Sequence, residues 1–471
     1  MTWLLEHLAR HARQTPQAVA LENAEQTLTY RDLQQRVKSL AAVLRTAGVK
    51  RLALCGGNSP AWVIADLAAH GLGLPVVPVP PFFSDQQKRH LIQEAGLDAS
   101  YNSDTQRLTL TGIQPTRREP GLAKVTFTSG STGTPKGVRL GDEVLERTVT
   151  SLATALSPHA GRRHLALLPL ATLLENIAGV YVPLCLGARV LLPDLPSLGF
   201  TGSSGLDPKA LIGGLHRWQP HSLILVPELL RALVMMADAG APMPDSLQFI
   251  AVGGGKVDAG LLQRVRAHGL PVYEGYGLSE CGSVVALNLP GADRPGSVGR
   301  VLPHAQARID AHNEIHVSGS VMRGYLSQHA GDEWPTGDLG RLDENGFLYV
   351  DGRRKNQLIT AFGRNVNPEW VESAFQDCAA IQTIVVQGDG EPRLSAVVVA
   401  AGNAELHQVE EQIESVNAGL PDYARVTAIV LTRQRFSVEN GLATANGRPR
   451  RDAIADRYPV KSATPLFTQT T

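Results

Sequence analysis

Hydrophobic residues along the chain alternate between helical spacing and short continuous runs. Helical spacing covers residues 1–17, 33–44 and 61–69, and short apolar runs occupy 51–55, 75–79, 125–128, 165–168, 222–226 and 249–252. The later runs are each followed by a turn and a helical stretch. Strands that alternate with helices are typical of doubly wound, parallel sheets covered by helices. The pattern therefore predicts a large N-terminal α/β domain.

A different pattern begins near Arg308. Short alternating segments at 314–317 and 346–350 are separated by Gly, Asn and Asp turns, which predicts a small β-barrel-like part. After Arg353 the chain has the spacing of a small α+β unit, with apolar runs at 358–360, 383–386, 394–399 and 425–431 and helices starting at Pro368 and Glu405. We expect one domain at 1–353 and a mobile C-terminal domain at 354–471.

The charge balance excludes two classes of protein. The 471 residues include 44 lysines and arginines and 44 aspartates and glutamates, so the formal net charge is zero. Proteins that bind nucleic acid or anionic membranes carry an excess or a face of positive charge. We therefore expect small-molecule partners and neither nucleic acid nor a membrane surface.

Cysteines and apolar segments are typical of a reduced, cytoplasmic protein. The four cysteines are far apart and form no CxxC pair: Cys55, Cys185, Cys281 and Cys378. Such spacing supports neither a disulfide framework nor a zinc site. Residues 1–17 lack the continuous apolar core of a signal peptide, and the apolar stretch 165–192 is interrupted by charged residues and prolines. We expect no targeting segment and no transmembrane span.

The most informative segment runs from Val125 to Gly137. There an apolar strand leads into a loop of glycines and hydroxyl residues that contains one lysine, Lys136. Glycines allow an anion to approach the backbone, hydroxyls and N–H groups donate to its oxygens, and lysine adds a mobile positive charge. Lys136 is followed by Gly137, so the segment is not a Walker A motif. The pattern fits a phosphate-binding loop, and the alternative is a flexible Ser/Gly surface loop.

Together with four later segments, this loop resembles the acyl-adenylate-forming enzymes, which include acyl-CoA synthetases, luciferases and the adenylation domains of peptide synthetases. The family signature TSGSTGxPKG is matched from Thr128 to Gly137 without a gap. The other matches are Gly275–Glu280 to GYGxTE, Thr336–Asp338 to TGD, Gly352–Lys355 to GRxK, and Asn365–Glu372 to the helix start N-(V/I)-x-P-x-x-(V/I)-E. Five motifs in the family's order, spread over almost the whole chain, identify it as a member of this family.

The resemblance implies a reaction in two halves. A carboxylate attacks the α-phosphate of ATP to give an acyl-adenylate and pyrophosphate, and a thiol, usually that of coenzyme A, then displaces AMP. Glu280 is implied to help place Mg²⁺ on the phosphates, and it forms the expected catalytic set with Lys136 and Arg448. The phosphate-binding residues implied by the signature are Thr128, Ser129, Gly130, Ser131, Thr132, Gly133 and Lys136.

Further motifs imply contacts with the nucleoside. Tyr276 is implied to offer a flat face to the adenine, and Gly277 and Ser279 belong to the same motif. Asp338 is implied to accept both ribose hydroxyls, with Arg353 as an additional donor. Gly254 and Gly255 are implied to form a wall beside the adenine and the acyl group. The alternatives are a core aromatic at Tyr276, a turn aspartate at Asp338, a solvated carboxylate at Glu280 and a tight glycine turn.

The C-terminal segment contains the largest departure from the family. Its motif NGKxxR carries a lysine that bridges the carboxylate and the α-phosphate, whereas residues 445–451 place Arg448 at that position. Arginine keeps the charge, but its planar fork cannot occupy the same point as an ammonium. Lys355 falls at the implied hinge between the two half-reactions, and Gly363 falls in the loop implied to line the thiol tunnel.

Substrate signals are weaker. Glu175 and residues 436–442 resemble the long-chain acyl-CoA synthetase branch, and the apolar stretch 173–186 suits the wall of an acyl tunnel as well as ordinary core packing. We expect a ligase of fatty acid metabolism that uses ATP, Mg²⁺ and coenzyme A on a medium- or long-chain fatty acid. Two alternatives remain: a ligase that loads an acyl or aryl group onto a carrier-protein pantetheine, and a non-catalytic sensor of acyl-adenylate or AMP.

Overall fold

Two large sheets with helices packed on them make up most of the chain in a computed structural model. It describes residues 2–81, 83, 85–113, 119–128, 136–201, 205–359, 365–444, 447–459 and 463–466. The α-helices span Trp3–Gln14, Tyr30–Thr46, Pro60–Gly71, Asp85–Glu94, Asp142–Leu156, Val182–Cys185, Pro208–Trp218, Pro227–Asp238, Ala259–Ala267, Pro368–Ser373, Leu406–Gly419 and Arg451–Arg457. A π-helix covers Glu175–Tyr181, and 3₁₀ turns cover Leu195–Leu198, Ser279–Cys281, Arg354–Asn356 and Asp422–Ala424.

Several helices begin where the sequence supplies a cap. Thr29 and Asp32 form a reciprocal capping box at the start of Tyr30–Thr46. Ser59 accepts a hydrogen bond from the Trp62 N–H, and Asp207 caps Pro208–Trp218. These side chains satisfy backbone N–H groups that lack a partner in the first helical turn. The caps therefore fix the boundaries between turns and helices along the α/β part.

One sheet contains nine strands, and its centre is parallel. Its spatial order is Arg300–Val301, Ala286–Leu287, Val272–Tyr276, Phe249–Val252, Ser222–Leu225, Arg163–Leu165, Arg189–Leu191, Val19–Glu22 and Thr27–Thr29. The six strands from Val272–Tyr276 to Val19–Glu22 pair in parallel, and the three others are antiparallel. The carboxyl ends of the parallel strands lie at one edge of this sheet.

The second sheet contains eight strands and corrects one prediction. Its order is Gln328–His329, Gly324–Tyr325, Lys136–Gly141, Leu122–Thr128, Val76–Pro78, Leu52–Cys55, Ala99–Asn102 and Arg107–Leu110. The prediction that 125–128 is followed by a turn and a helical stretch is wrong, because the next described element is an antiparallel strand, with Thr128 opposite Lys136. Val138 and Leu140 alternate with Gly137, Arg139 and Gly141, which is the two-residue period of a strand.

A buried polar network fixes the strand that leads to residues 129–135. The Lys124 ammonium donates to Asp66 Oδ1 at 2.9 Å and to the Tyr181 hydroxyl at 3.2 Å, and it also contacts the side-chain oxygen of Asn176. Tyr181 and Asn176 in turn donate to Asp66 Oδ2 at 2.7 and 2.8 Å. Lys124 and Asp66 are each 1% exposed, so this pairing replaces the water that both charges have lost.

Two four-stranded sheets and two short two-stranded pairs are the other sheets of the described residues. An antiparallel sheet of Ala305–Ile309, Glu314–Gly319, Glu333–Leu342 and Leu348–Arg353 forms the predicted small β part. The C-terminal unit is built on Ile381–Gln387, Leu394–Ala400, Val426–Thr432 and Thr464–Pro465, and it has its own buried core that includes Phe375 and Ile413. Short two-stranded pairs join Phe200–Thr201 to Gly205–Leu206 and Leu358–Ile359 to Asn365–Val366. Among the described residues, no helix is long and apolar enough to cross a membrane.

Candidate active site

The glycine-rich segment lies at the carboxyl edge of the nine-stranded sheet. Val252 pairs with Glu274 on the neighbouring parallel strand, so Gly253 follows beside Gly275. A Cβ atom on Gly253 would approach the Gly275 carbonyl oxygen to 3.0 Å, and Gly254 has a φ of +80°. A side chain at Gly253 would crowd the neighbouring backbone, and the positive φ of Gly254 favours glycine at that position. The segment is therefore a tight turn that leaves the sheet edge free of side chains, as the predicted wall requires.

Asp338, Tyr276 and Arg353 converge next to this edge. Asp338 lies opposite Arg353 in an antiparallel pair and forms an ion pair from Oδ1 to the Arg353 Nε at 2.7 Å. The Tyr276 hydroxyl donates to Asp338 Oδ2 at 2.6 Å. Burial raises the pKa of Asp338, while Arg353 and Tyr276 oppose that change. Each carboxylate oxygen has a second lone pair, so Asp338 keeps acceptor capacity for a ribose hydroxyl.

Glu280 and Lys136 meet at a tyrosine that the motifs did not indicate. The Tyr325 hydroxyl donates to Glu280 Oε1 at 2.9 Å, and the Lys136 ammonium lies 5.4 Å from the centre of the Tyr325 ring. Trp334 packs edge-on against the same ring at 5.8 Å. Burial, followed by the nearby Glu280 carboxylate, raises the pKa of the Tyr325 phenol. This tyrosine therefore holds the predicted metal ligand and the predicted phosphate-binding lysine in one place.

Arg448 reaches the glycine turn from the C-terminal unit. Its guanidinium donates to the carbonyl oxygen of Gly254. The residue keeps part of its surface open to solvent, but surrounding protein removes water from the guanidinium and lowers its pKa, and Arg353 lowers it further. Glu369, Glu228 and Asp338 oppose that lowering. The structure thus brings together two parts of the predicted site that lie 194 positions apart in the sequence.

Several cations share the cleft. Partial burial lowers the pKa of Lys355, and Arg353 and Lys136 lower it further by repulsion, against the opposing effect of Asp452 and Glu369. Burial likewise lowers the pKa of Lys256, whose ammonium donates to the Asp351 carbonyl oxygen at 3.3 Å. Cations that repel one another in a partly desolvated cleft bind a polyphosphate strongly, because the anion relieves both the repulsion and the lost hydration.

The other predicted site residues either lie outside the described residues or have roles in the local fold. Ser129, Gly130, Ser131, Thr132, Gly133 and Gly363 lie outside the described residues. Thr128 ends its strand directly opposite Lys136. A Cβ on Gly277 would collide with the Ser283 carbonyl oxygen, so that glycine is required by the fold, and Ser279 starts the 3₁₀ turn that carries Glu280. Gly255 packs against Pro227, where a Cβ would lie 3.2 Å from Cγ.

Glu314 is a second residue near the candidate site that the sequence motifs did not indicate. Its buried carboxylate accepts from the Gly337 N–H at 3.0 Å and from the Arg354 guanidinium at 2.8 Å. It therefore links the turn before Asp338 to the residue before Lys355. An acidic residue at the start of a β-strand has no distinctive sequence signal, and the contact becomes visible only when the small sheet brings the three segments together.

An apolar cavity of about 50 Å³ lies between the nine-stranded sheet and the helix Asp142–Leu156. Leu174, Ala178, Val182, Pro183 and Leu186 line it, so part of the predicted stretch 173–186 faces this space. Leu287 also lines the cavity, and a Cβ on Gly275 would lie 2.9 Å from its Cδ1. The cavity therefore extends to the strand Ala286–Leu287, which pairs with the end of Val272–Tyr276.

Comparison with known families and proteins agrees with this geometry. The family model described as AMP-binding enzyme matches residues 8–117 and 104–326, and the model of the AMP-binding enzyme C-terminal domain matches 355–460. The chain is 28% identical to the 2-succinylbenzoate–CoA ligase of Bacillus velezensis over 84% of this chain and 86% of that protein. It is 24% identical to a long-chain-fatty-acid–CoA ligase of Mycobacterium bovis over 84% and 81% of the two chains.

A solved structure shows the same fold. The O-succinylbenzoate coenzyme A synthetase from Bacillus subtilis, determined in complex with ATP and a magnesium ion, superposes with a TM-score of 0.77 at 22% identity, covering 95% of this chain and 98% of that one. The predicted family resemblance is confirmed by the matched family models. The predicted architecture, a large α/β part followed by a small C-terminal α+β unit, is confirmed as well.

Proposed function

Because the chain belongs to the AMP-binding enzyme family, we propose that it activates a carboxylic acid with ATP and transfers the acyl group to the thiol of coenzyme A. The observation that carries this proposal is the convergence of Lys136, Arg353, Lys355 and Arg448 with Asp338 in one cleft. Such a set suits a nucleoside with a polyphosphate chain. It has no comparable use in a protein that stores or only encloses an apolar ligand.

In the first half-reaction, the residues of the cleft position and neutralise ATP. Asp338, held by Tyr276 and Arg353, accepts from the ribose, while the side-chain-free turn at Gly253–Gly255 leaves room for the base. Lys136 and Arg448 offset charge as the acid's oxygen attacks the α-phosphorus and pyrophosphate leaves, which is the main demand of phosphoryl chemistry. Glu280 would hold Mg²⁺ as a hard oxygen ligand, and the ion would supply neutralisation of the phosphate charge.

In the second half-reaction, the thiol sulfur attacks the acyl carbon, the proton of the thiol is lost, and AMP leaves. Arg448 lies on Gly254 and so closes the side of the cleft next to the glycine turn. We infer that the C-terminal unit turns about Lys355 to admit the thiol, in line with the two domains expected at 1–353 and 354–471. Gly363, in the segment implied to line the thiol path, belongs to this part of the proposal.

The cavity supports an acid with an apolar body. Its lining is mostly aliphatic. Aliphatic side chains suit the apolar body of a medium- or long-chain fatty acid. The relatives include ligases named for an aryl acid, 2-succinylbenzoate, and for long-chain fatty acids, so an aryl acid is the second candidate.

A panel of acids tests the proposal. The purified chain would be incubated with ATP, Mg²⁺ and coenzyme A together with octanoate, dodecanoate, hexadecanoate or 2-succinylbenzoate, and thioesters would be detected by mass spectrometry. We expect an acyl-CoA with a fatty acid and stoichiometric AMP. A phosphopantetheinylated carrier protein, offered instead of coenzyme A, identifies the alternative acceptor. AMP binding without pyrophosphate release from any acid would favour a non-catalytic sensor.

A further inference from the structure

Residues 322–326, here called the bridging segment, join the elements that carry Glu280 and Lys136. Glu280 lies in a 3₁₀ turn, and Lys136 begins a strand of the eight-stranded sheet. The Met322 N–H donates to the Glu280 carbonyl oxygen at 2.7 Å, and the Leu326 N–H donates at 2.9 Å to the carbonyl oxygen of the residue after Lys136. The two ends of the bridging segment therefore hold the predicted metal ligand beside the predicted phosphate-binding lysine.

The middle of the bridging segment is fixed as well. Gly324 has a φ of +116°, and a Cβ atom there would collide with the Gln328 carbonyl oxygen, so the chain turns tightly at a glycine. The Arg139 guanidinium donates to the carbonyl oxygens of Arg323 and Gln328 at 3.1 and 3.4 Å. Because the backbone on both sides of Tyr325 is held in this way, the tyrosine side chain starts from a fixed point.

The hydroxyl of Tyr325 is directed at Glu280. It donates to Glu280 Oε1 at 2.9 Å. Burial and the nearby Glu280 carboxylate raise the pKa of the Tyr325 phenol, so the hydroxyl keeps its proton and is the donor. Glu280 Oε2 accepts no hydrogen bond from any residue that the structure describes. The tyrosine thus occupies one oxygen of the carboxylate and leaves the other for a cation.

The ring of Tyr325 makes its contacts independently of the hydroxyl. Trp334 packs edge-on against it with the ring centres 5.8 Å apart, and the Lys136 ammonium lies 5.4 Å from its centre. Both contacts depend on the aromatic ring, so a phenylalanine at this position would keep them. Replacing Tyr325 by phenylalanine therefore isolates the contact between the hydroxyl and Glu280.

We propose that Tyr325 is a positioning residue for the metal-dependent binding of ATP, because its hydroxyl holds the Glu280 carboxylate in the orientation that binds Mg²⁺. This inference rests on the proposed function, which assigns Glu280 to the metal. A carboxylate that is free to rotate loses that freedom when it binds a cation, whereas one held by a hydrogen bond has already lost it. Groups that hydrogen-bond to a metal ligand typically change metal affinity by about 10–100-fold.

Calorimetric binding of ATP in the absence of any acid tests the inference, because no adenylate can form. The Kd of ATP would be measured in EDTA and in excess Mg²⁺, and the ratio of the two values gives the strengthening by the metal. Tyr325→Phe should reduce this ratio about tenfold, while the binding of AMP and of ATP in EDTA stays unchanged.

Tyr349→Phe is the matched control. The Tyr349 hydroxyl also donates to a carboxylate, that of Asp343 at 3.3 Å, and a cation, Arg341, lies 3.7 Å from the centre of its ring. This tyrosine lies outside the candidate site, so its loss of a hydroxyl should leave the ratio at the wild-type value.

A double variant shows whether Tyr325 acts through Glu280. Glu280→Gln replaces the carboxylate by a neutral amide, and adding Tyr325→Phe to it should cause no further loss of the ratio. Further loss in the double variant would overturn the inference. Weakening of ATP binding by the same factor with and without Mg²⁺ would also overturn it, because the hydroxyl would then act on the nucleotide itself.

The same measurements distinguish this inference from the proposed function. An equal ratio in wild type and Tyr325→Phe, or a wild type whose ATP binding Mg²⁺ does not strengthen, overturns the role of the tyrosine. The proposed function fails by a different result, namely that no acid supports pyrophosphate release. In that case a reduced ratio in Tyr325→Phe would still support the positioning of Glu280 by Tyr325.

Discussion

At the scale of single residues, Arg448 replaces the lysine of the family's C-terminal motif, and this replacement changes which contacts the side chain can make. Its guanidinium already contacts the Gly254 carbonyl, and its planar fork has further N–H groups for an anion. Lysine at this position could serve only one of these partners well at a time. The substitution from lysine therefore changes the contact without removing the charge from the cleft.

Arg448→Ala should slow adenylation about 10²-fold, because a charged donor aimed at the reacting phosphate is lost. Arg448→Lys should be slowed less than Arg448→Ala. Single-turnover release of pyrophosphate measures this step, and thioester formation from preformed acyl-adenylate serves as the internal control. If Arg448→Ala matched wild type in pyrophosphate release, the residue would not be the bridging cation.

The motifs indicated candidate residues that the structure places close together, but they did not indicate all of the neighbours of these residues. Asp338, Tyr276 and Glu280 could be chosen because each belongs to a short segment with a recognisable order of residue types. Tyr325 could not, since an aromatic residue after glycine is equally common in a core, and its contact with Glu280 joins a strand to a 3₁₀ turn 45 residues away.

At the scale of secondary-structure elements, the buried Lys124–Asp66 pair determines how the strand before residues 129–135 is held. Lys124→Met should lower the free energy of unfolding by about 3–5 kcal/mol, because Asp66 would remain buried without its counter-ion. Urea unfolding measures the change, and Lys209→Met, at an exposed lysine, is the control. Combining Lys124→Met with Asp66→Asn should recover part of the loss. No recovery would show that the charge itself is not the cause.

Glu274 makes the strand that leads to Tyr276 sensitive to pH. Burial raises the pKa of this carboxyl from 4.5 to about 7, against the opposing effects of Lys256 and the Val257 N–H. Between these two values the folded state holds more protons than the unfolded state, so this group's contribution to stability falls as pH rises. Relative to Glu274→Gln, wild type should lose roughly 2–3 kcal/mol of stability between pH 4 and pH 8.

Urea unfolding of wild type and Glu274→Gln at several pH values tests whether the free energy of unfolding falls as pH rises. The exposed Glu344→Gln should follow wild type at every pH. A difference between wild type and Glu274→Gln that stays constant with pH would contradict the raised pKa of Glu274.

Most strands and helices could be predicted from hydrophobic spacing, because buried parallel strands give short apolar runs and capped helices give clear starts. The hairpin Leu122–Thr128 to Lys136–Gly141 could not, since its connecting residues have the composition of several kinds of loop. Which sheet each strand joins also has no local signal. That order depends on packing between distant segments, as in the core that combines Leu21, Leu52, Trp62 and Leu145.

At the scale of the whole molecule, contacts between the C-terminal unit and the helices before it hold the cleft in its present form. Arg231 donates to the carbonyl oxygens of Cys378 and Ile381 at 2.8 and 3.0 Å, and Arg264 forms an ion pair with Asp377 at 2.6 Å. These are polar contacts that a rotation about Lys355 would exchange with water at modest cost.

Lys355→Pro should separate the two half-reactions, because proline fixes φ at the proposed hinge and removes a backbone N–H. We expect adenylate to form while transfer to coenzyme A falls by at least tenfold, in keeping with a step that needs domain rotation. Burst-phase measurement of adenylate and thioester in one experiment distinguishes the steps. Equal loss of both would argue against a hinge at this residue.

The most direct test of the adenylating cleft is acid-dependent exchange of labelled pyrophosphate into ATP, measured for wild type and Glu280→Ala. Wild type should exchange label only when a suitable acid is present. Glu280→Ala should fall to background while it still binds AMP, because the lost carboxylate serves Mg²⁺ on the phosphates and not the nucleoside. Exchange that is absent from wild type with every acid, or unchanged in Glu280→Ala, would contradict the assignment of this cleft.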